Sequence, residues 1–105
     1  MKATDMNLMI EQCGSTARFL KLLAHPQRLL LLCHLTEGER TVSELEEVCE
    51  ASQSHISQFL QRMKNEGLVS ARREGKFIYY SIGDRRVLKL IRSLHNIFCI
   101  KPQNQ

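Results

Sequence analysis

Apolar positions in the first 24 residues recur at the three- and four-residue spacing of a helix: Met6, Met9, Ile10, then Phe19, Leu20, Leu22 and Leu23. The pattern predicts an amphipathic helix over about residues 5–24, loosened at Cys13-Gly14-Ser15 and closed by His25-Pro26. Pro26 suits the first turn of a following helix, where a missing N–H costs nothing. Leu29, Leu30, Leu31, Leu32, Cys33 and Leu35 then make a segment that is apolar on nearly every side. It predicts a buried central helix over about 26–36, with Thr36 to Arg40 as its exit turn.

At Thr41 the pattern shortens. Val42, Leu45, Val48 and Cys49 form one helical stripe, and Ile56, Phe59, Leu60 and Met63 form a second, with Ser52 placed to cap the second helix and Gly67 to end it. Two short helices joined by a tight turn, over about 41–66, outline a helix-turn-helix. Two β-prone runs follow, Val69 to Ala71 and Phe77 to Ile82, around the basic, Gly-containing tip Arg72-Arg73-Glu74-Gly75-Lys76; they predict a hairpin over about 69–82. Asp84 then caps a last helix, over about 84–99, with the stripe Val87, Leu90, Ile91, Leu94, Ile97 and Phe98. The expected fold is mainly α with one small hairpin (α+β), a single domain spanning residues 1–105.

Composition narrows the possible functions. With 105 residues of which 43% are hydrophobic, the chain fills one small core, and such a helical domain often completes its burial against a partner subunit. No apolar run reaches membrane-spanning length and the N-terminus lacks the pattern of a signal peptide, so the expected location is the cytoplasm, with no membrane partner. There thiols are kept reduced, and none of the four cysteines forms a C-x-x-C pair, which argues against a disulfide framework, a zinc ribbon and a thioredoxin-like site. The net charge of +4 divides into −3 over residues 1–50 and +7 over residues 51–105. A basic half favours a polyanion through counterion release.

The second helix of a helix-turn-helix enters the major groove, and its outward face needs short polar side chains. Here that face offers Gln53, Ser54, Ser57, Gln58 and Gln61, flanked by His55 and Arg62, where an ordinary solvent face would be rich in Glu and Lys. Arg72, Arg73 and Lys76 at the hairpin tip would reach the DNA backbone and set register more than sequence.

The pieces A-H-P-x-R at Ala24 to Arg28, S-Q-S-x-x-S-Q-x-L at Ser52 to Leu60, E-G-L-V at Glu66 to Val69 and I-Y-Y at Ile78 to Tyr80 resemble the ArsR/SmtB family of winged-helix repressors over roughly residues 15–100. The resemblance implies a repressor of double-stranded operator DNA that forms a homodimer through its first and last helices. Many members of that family respond to metals, and two known ligand sets fail here. Thr41 and Ser43 stand where a thiolate box has cysteines, and the zinc pattern of the last helix meets Asp84, Arg86, Ile97 and Ile100. Neither a metal nor another cofactor is therefore expected.

Cys33 on the central helix and Cys99 at the end of the last helix resemble the dithiol of the persulfide-sensing BigR/SqrR-type branch. That resemblance implies reactive sulfur species as inducer and a sulfur bridge that releases DNA. A buried apolar setting raises a thiol's pKa, and so does a helix C-terminus, so His34 or His95 would have to favour the thiolate. Cys49, on an apolar stripe, reads as a core residue. Cys13 reads as incidental, as a modulator of reactivity, or as a soft-metal ligand. The alternatives are a thiolate soft-metal sensor built from Cys13, Cys33 or Cys99, a thiol enzyme or sulfur carrier, and an RNA- or protein-binding winged helix. No Gly-rich loop or cleft signature supports catalysis.

Overall fold

The structure, a computed structural model, describes residues 3–98. In chain order it has α1 (Ala3–Leu23), α2 (Pro26–Leu35), α3 (Val42–Val48), α4 (Gln53–Asn65), β1 (Val69–Glu74), β2 (Phe77–Ile82) and α5 (Arg85–Phe98). Five helices with one antiparallel hairpin make a winged helix-turn-helix.

Short-range hydrogen bonds fix the helix ends. His25 caps α2, its Nδ1 accepting from the Gln27 N–H at 3.1 Å, with Pro26 in the first turn. A reciprocal capping box starts α3: the Thr41 hydroxyl accepts from the Glu44 N–H and the Glu44 carboxylate accepts from the Thr41 N–H. Ser52 caps α4 by accepting from the His55 N–H, and Asp84 caps α5 by accepting from the Arg86 N–H at 2.8 Å. The hairpin pairs Val69 with Ile82 through to Glu74 with Phe77, leaving Gly75-Lys76 as a two-residue turn in which Gly75 takes a φ of +63°. At Gly83, a Cβ would lie 2.5 Å from Ser70 Oγ and 3.1 Å from the β1 backbone, so glycine eases the close approach of the chain leaving β2 to β1.

Helix α2 is central and packs on α5 and β2. Leu31, Leu32, Leu45, Ile56, Leu60, Met63, Leu68, Val87 and Ile91 are fully buried around it. Arg40 adds a backbone bridge to the outer edge of β2, exchanging two hydrogen bonds with Tyr80. Helix α1 seats only its last turns on this core, through Leu23 and the partly covered Phe19 and Leu22.

The structure departs from the sequence pattern in three places. Helix α1 runs unbroken through Cys13, Gly14 and Ser15, because the cost of one helical glycine, about 1 kcal/mol, is absorbed by a 21-residue helix. Val48 is 51% exposed: α3 ends there, and Cys49, in extended backbone, turns its own side chain into the core instead. The stripe of α5 is buried at Val87 and Ile91 but emerges at Ile97 and Phe98. None of the described helices is long and apolar enough to cross a membrane.

Candidate nucleic-acid interface and thiol site

Helix α4 is held by one face and free on the other. Ile56, Leu60 and Met63 anchor it in the core, and the His25 ring packs at a tilt on Phe59 with centroids 5.0 Å apart. Gln53, Ser54, His55, Gln58, Gln61 and Arg62 project into solvent, and Ser57 is half-buried beside them. The Gln61 amide donates to Asn65 Oδ1 at 3.2 Å. His55, Gln58, Phe59, Gln61, Arg62 and Asn65 line a shallow depression of about 430 Å³ along this face. A rigid helix carrying amides, hydroxyls and one guanidinium on an unobstructed face can approach base edges and phosphates.

At the wing, Arg73 and Lys76 are exposed and have no carboxylate partner among the described residues, the Lys76 Nζ lying 5.7 Å from the Phe77 ring. Arg72 is placed differently. It is paired with Glu39 and Glu74 and lies over Tyr79, and its hydrogen bonds hold the Glu39 carboxyl below the usual carboxylate range.

Cys33 sits in the middle of α2 at 3% exposure, and burial pushes its thiol pKa up. Neighbouring His34 is also buried, and desolvation lowers its pKa, so it stays neutral and supplies no cation to stabilise a Cys33 thiolate. Cys99, like Ile100, lies outside the described residues. Four positions earlier in the sequence, on α5, the buried Nε2 of His95 has no hydrogen-bond partner among the described residues. Cys49 is buried with its thiol pKa raised by desolvation. Cys13 is exposed on α1 in a shallow depression with Met9, Thr16, Ala17 and Leu20. Among the described residues no three His, Cys, Asp or Glu side chains cluster as a metal site would require.

One residue absent from the sequence-based candidates connects these regions. Arg28, buried at the start of α2, donates from Nη1 to the Leu22 carbonyl at 2.6 Å and to Glu66 Oε1 at 3.2 Å. It ties the end of α1 and the helix carrying Cys33 to the C-cap of α4. The available signal was a single charge inside the most apolar helix of the chain.

A family model for bacterial regulatory proteins of the arsR family matches residues 25–71. The chain is 40% identical over 96 residues to the biofilm growth-associated repressor of Agrobacterium fabrum, covering 91% of this chain and 82% of that protein. It is 47% identical over 77 residues to a probable mercury resistance operon repressor of Streptomyces lividans, covering 73% of this chain and 62% of that one. The crystal structure of the transcriptional repressor BigR from Xylella fastidiosa superposes with a TM-score of 0.80 at 37% identity, covering 96% of this chain and all of that chain.

Proposed function

Since the chain belongs to the arsR family of bacterial regulatory proteins, transcription regulators rather than enzymes, we propose that it is a homodimeric repressor that holds operator DNA while Cys33 and Cys99 are reduced and releases it when sulfur links them. The observation that carries the DNA half is the exposed face of α4, whose amides and hydroxyls stand free on a helix anchored by Ile56, Leu60 and Met63. Gln53, Ser54, His55, Ser57, Gln58 and Gln61 meet base edges, while Arg62, with Arg73 and Lys76 of the wing, meets phosphates.

For the sensing half, the burial of Cys33 argues that Cys99 reacts first. The Cys99 thiolate attacks the outer sulfur of a small persulfide, R–S–SH; the donor's S–S bond breaks, and R–S⁻ leaves with the proton given up by Cys99. His95, four positions earlier in the sequence and with a ring nitrogen unpartnered among the described residues, is the candidate on α5 to carry that proton. Cys33 then attacks the inner sulfur of Cys99–S–SH, forming a disulfide and expelling hydrosulfide, so oxidation of two thiols is balanced by reduction of the donor sulfur. The second attack is intramolecular, and a small thiolate fraction at Cys33 suffices. The bridge ties the end of α5 to α2, and through Arg28 to α4. With the free apolar end of α5 in the dimer interface, a shift there alters the spacing of the two recognition helices, which must match a DNA turn of about 34 Å.

The test is fluorescence anisotropy on a duplex selected from random-sequence DNA by the reduced protein. Persulfide treatment is expected to weaken binding more than a hundredfold, about 3 kcal/mol of coupling. Bridged protein that binds as tightly as reduced protein would contradict the proposal. Identity with the mercury resistance repressor favours a second reading, a thiolate soft-metal sensor using the exposed Cys13. Release of DNA by submicromolar mercury or cadmium, lost in Cys13→Ser, would select it.

A further inference from the structure

Arg72 has the most heavily engaged side chain of the wing. Its Nε donates to Glu39 Oε2 at 2.8 Å, its Nη2 to Glu39 Oε1 at 2.9 Å and its Nη1 to Glu74, while the guanidinium carbon stands 4.7 Å from the centroid of the Tyr79 ring. Glu39 does not belong to the hairpin. It lies between α2 and α3, next to Arg40, which bridges the outer edge of β2. Arg72 stands on β1 directly opposite Tyr79. Its side chain therefore crosses the width of the two-stranded sheet, over an aromatic ring, to grip a carboxylate on the far side.

We propose that Arg72 is a positioning residue that straps the wing to the α2–α3 segment and aims Arg73 and Lys76 at DNA, without contacting phosphate itself. The proposal rests on the DNA-binding role of the wing given above. Donor capacity supports it, because three of the five guanidinium N–H groups are committed to carboxylates and one face is covered by Tyr79. Charge supports it too: with two carboxylates around one guanidinium, the Glu39–Arg72–Glu74 cluster is itself net negative and offers a phosphate no uncompensated cation. A two-stranded hairpin is marginal by itself and needs ties to the body. The Arg40–Tyr80 bridge holds it at the Ala71–Tyr80 pair, the third from its base, and the Arg72–Glu39 pair holds it one position nearer the tip. Bidentate geometry and stacking together are properties of arginine that lysine does not reproduce.

The two possible roles of Arg72 predict opposite signs for one variant. Affinity for the selected duplex would be measured across a salt series for wild type, Glu39→Ala, Arg72→Ala, the double variant and Lys76→Ala. As a strap, Glu39→Ala and Arg72→Ala each weaken binding by about threefold, with the salt slope unchanged and the double variant no weaker than the worse single. Lys76→Ala lowers the slope by about one. If Arg72 instead holds a phosphate, Glu39→Ala frees it and binding is unchanged or tighter, or Arg72→Ala lowers the slope by about one; either result overturns the proposal. Amide hydrogen exchange on the DNA-free protein tests the strap independently of DNA binding. Glu39→Ala should accelerate exchange across the β1–β2 ladder, and unchanged exchange would overturn the strap even if DNA binding proceeds as proposed. Failure of the wild type to select any duplex would count against the repressor reading and leave exchange to decide the strap.

Discussion

In α4 the apolar stripe Ile56, Leu60 and Met63 is wholly covered by neighbouring elements, chiefly α3 and β1; in α5 the stripe is covered at Val87 and Ile91 and then runs into solvent at Ile97 and Phe98, 68% and 65% exposed. Each helix presents a surface that the other described residues do not cover, and the two surfaces differ in kind. The one on α4 is built from serine, glutamine, histidine and arginine, suited to a nucleic acid. The one on α5 is aliphatic and aromatic, and α1 likewise exposes Met6, Leu8, Met9, Ile10 and Leu20; such apolar surfaces are suited to a second copy of the chain. Helical periodicity is common to both stripes; the composition of the uncovered face separates their roles.

The largest test of this contrast is truncation in the covered stripe. Leu60→Ala removes a fully buried side chain and should lower unfolding stability by about 2–5 kcal/mol in denaturant titration. Ile97→Asp combined with Phe98→Asp should leave helical content intact but weaken self-association by more than tenfold, about 1.4 kcal/mol, in sedimentation measurements. A double variant that unfolds like Leu60→Ala, or that still dimerises normally, would break the contrast. On the polar face, Gln58→Ala should cost about 1–3 kcal/mol at particular base pairs in specificity profiling while leaving the melting temperature unchanged.

The smallest effect concerns pH. Burial lowers the His34 pKa from its ordinary 6.5, so the unfolded chain takes up the proton first. Stability is therefore full above 6.5 and falls as pH drops below it toward the folded-state pKa. His34→Gln should flatten that decline in thermal melts across the acidic range.

What the sequence made legible was local. Ser52 and Asp84 start their helices with hydrogen bonds spanning three and two residues, and Gly75 makes the hairpin turn because its positive φ disfavours a side chain. The apolar run from Leu29 to Leu35 announced a central helix for the same reason. Beyond reach were features joining distant positions. Arg28 meets Glu66 across 38 positions, and Arg72 meets Glu39 across 33, and no local pattern distinguishes such an arginine from one that faces a phosphate. Val48 misled for a geometric reason: whether it or Cys49 enters the core depends on where α3 stops, and hydrophobicity alone does not set that point. Cys33 was legible as buried, and with burial came its raised pKa, but the lowered pKa of His34, which depends on its own burial, was not.

The central claim is that Cys33 and Cys99 form one sulfur-sensing site, and peptide mapping by mass spectrometry after persulfide treatment tests it most directly, with operator binding followed on the same samples. The account predicts a Cys33–Cys99 linked peptide pair, joined through a disulfide or a longer sulfur chain, that accumulates in step with DNA release. Cys99→Ser and Cys33→Ser should each bind DNA and ignore the donor, and Cys13 and Cys49 should stay outside the link. DNA release by treated Cys99→Ser, or in wild type with Cys33 still unmodified, would contradict it.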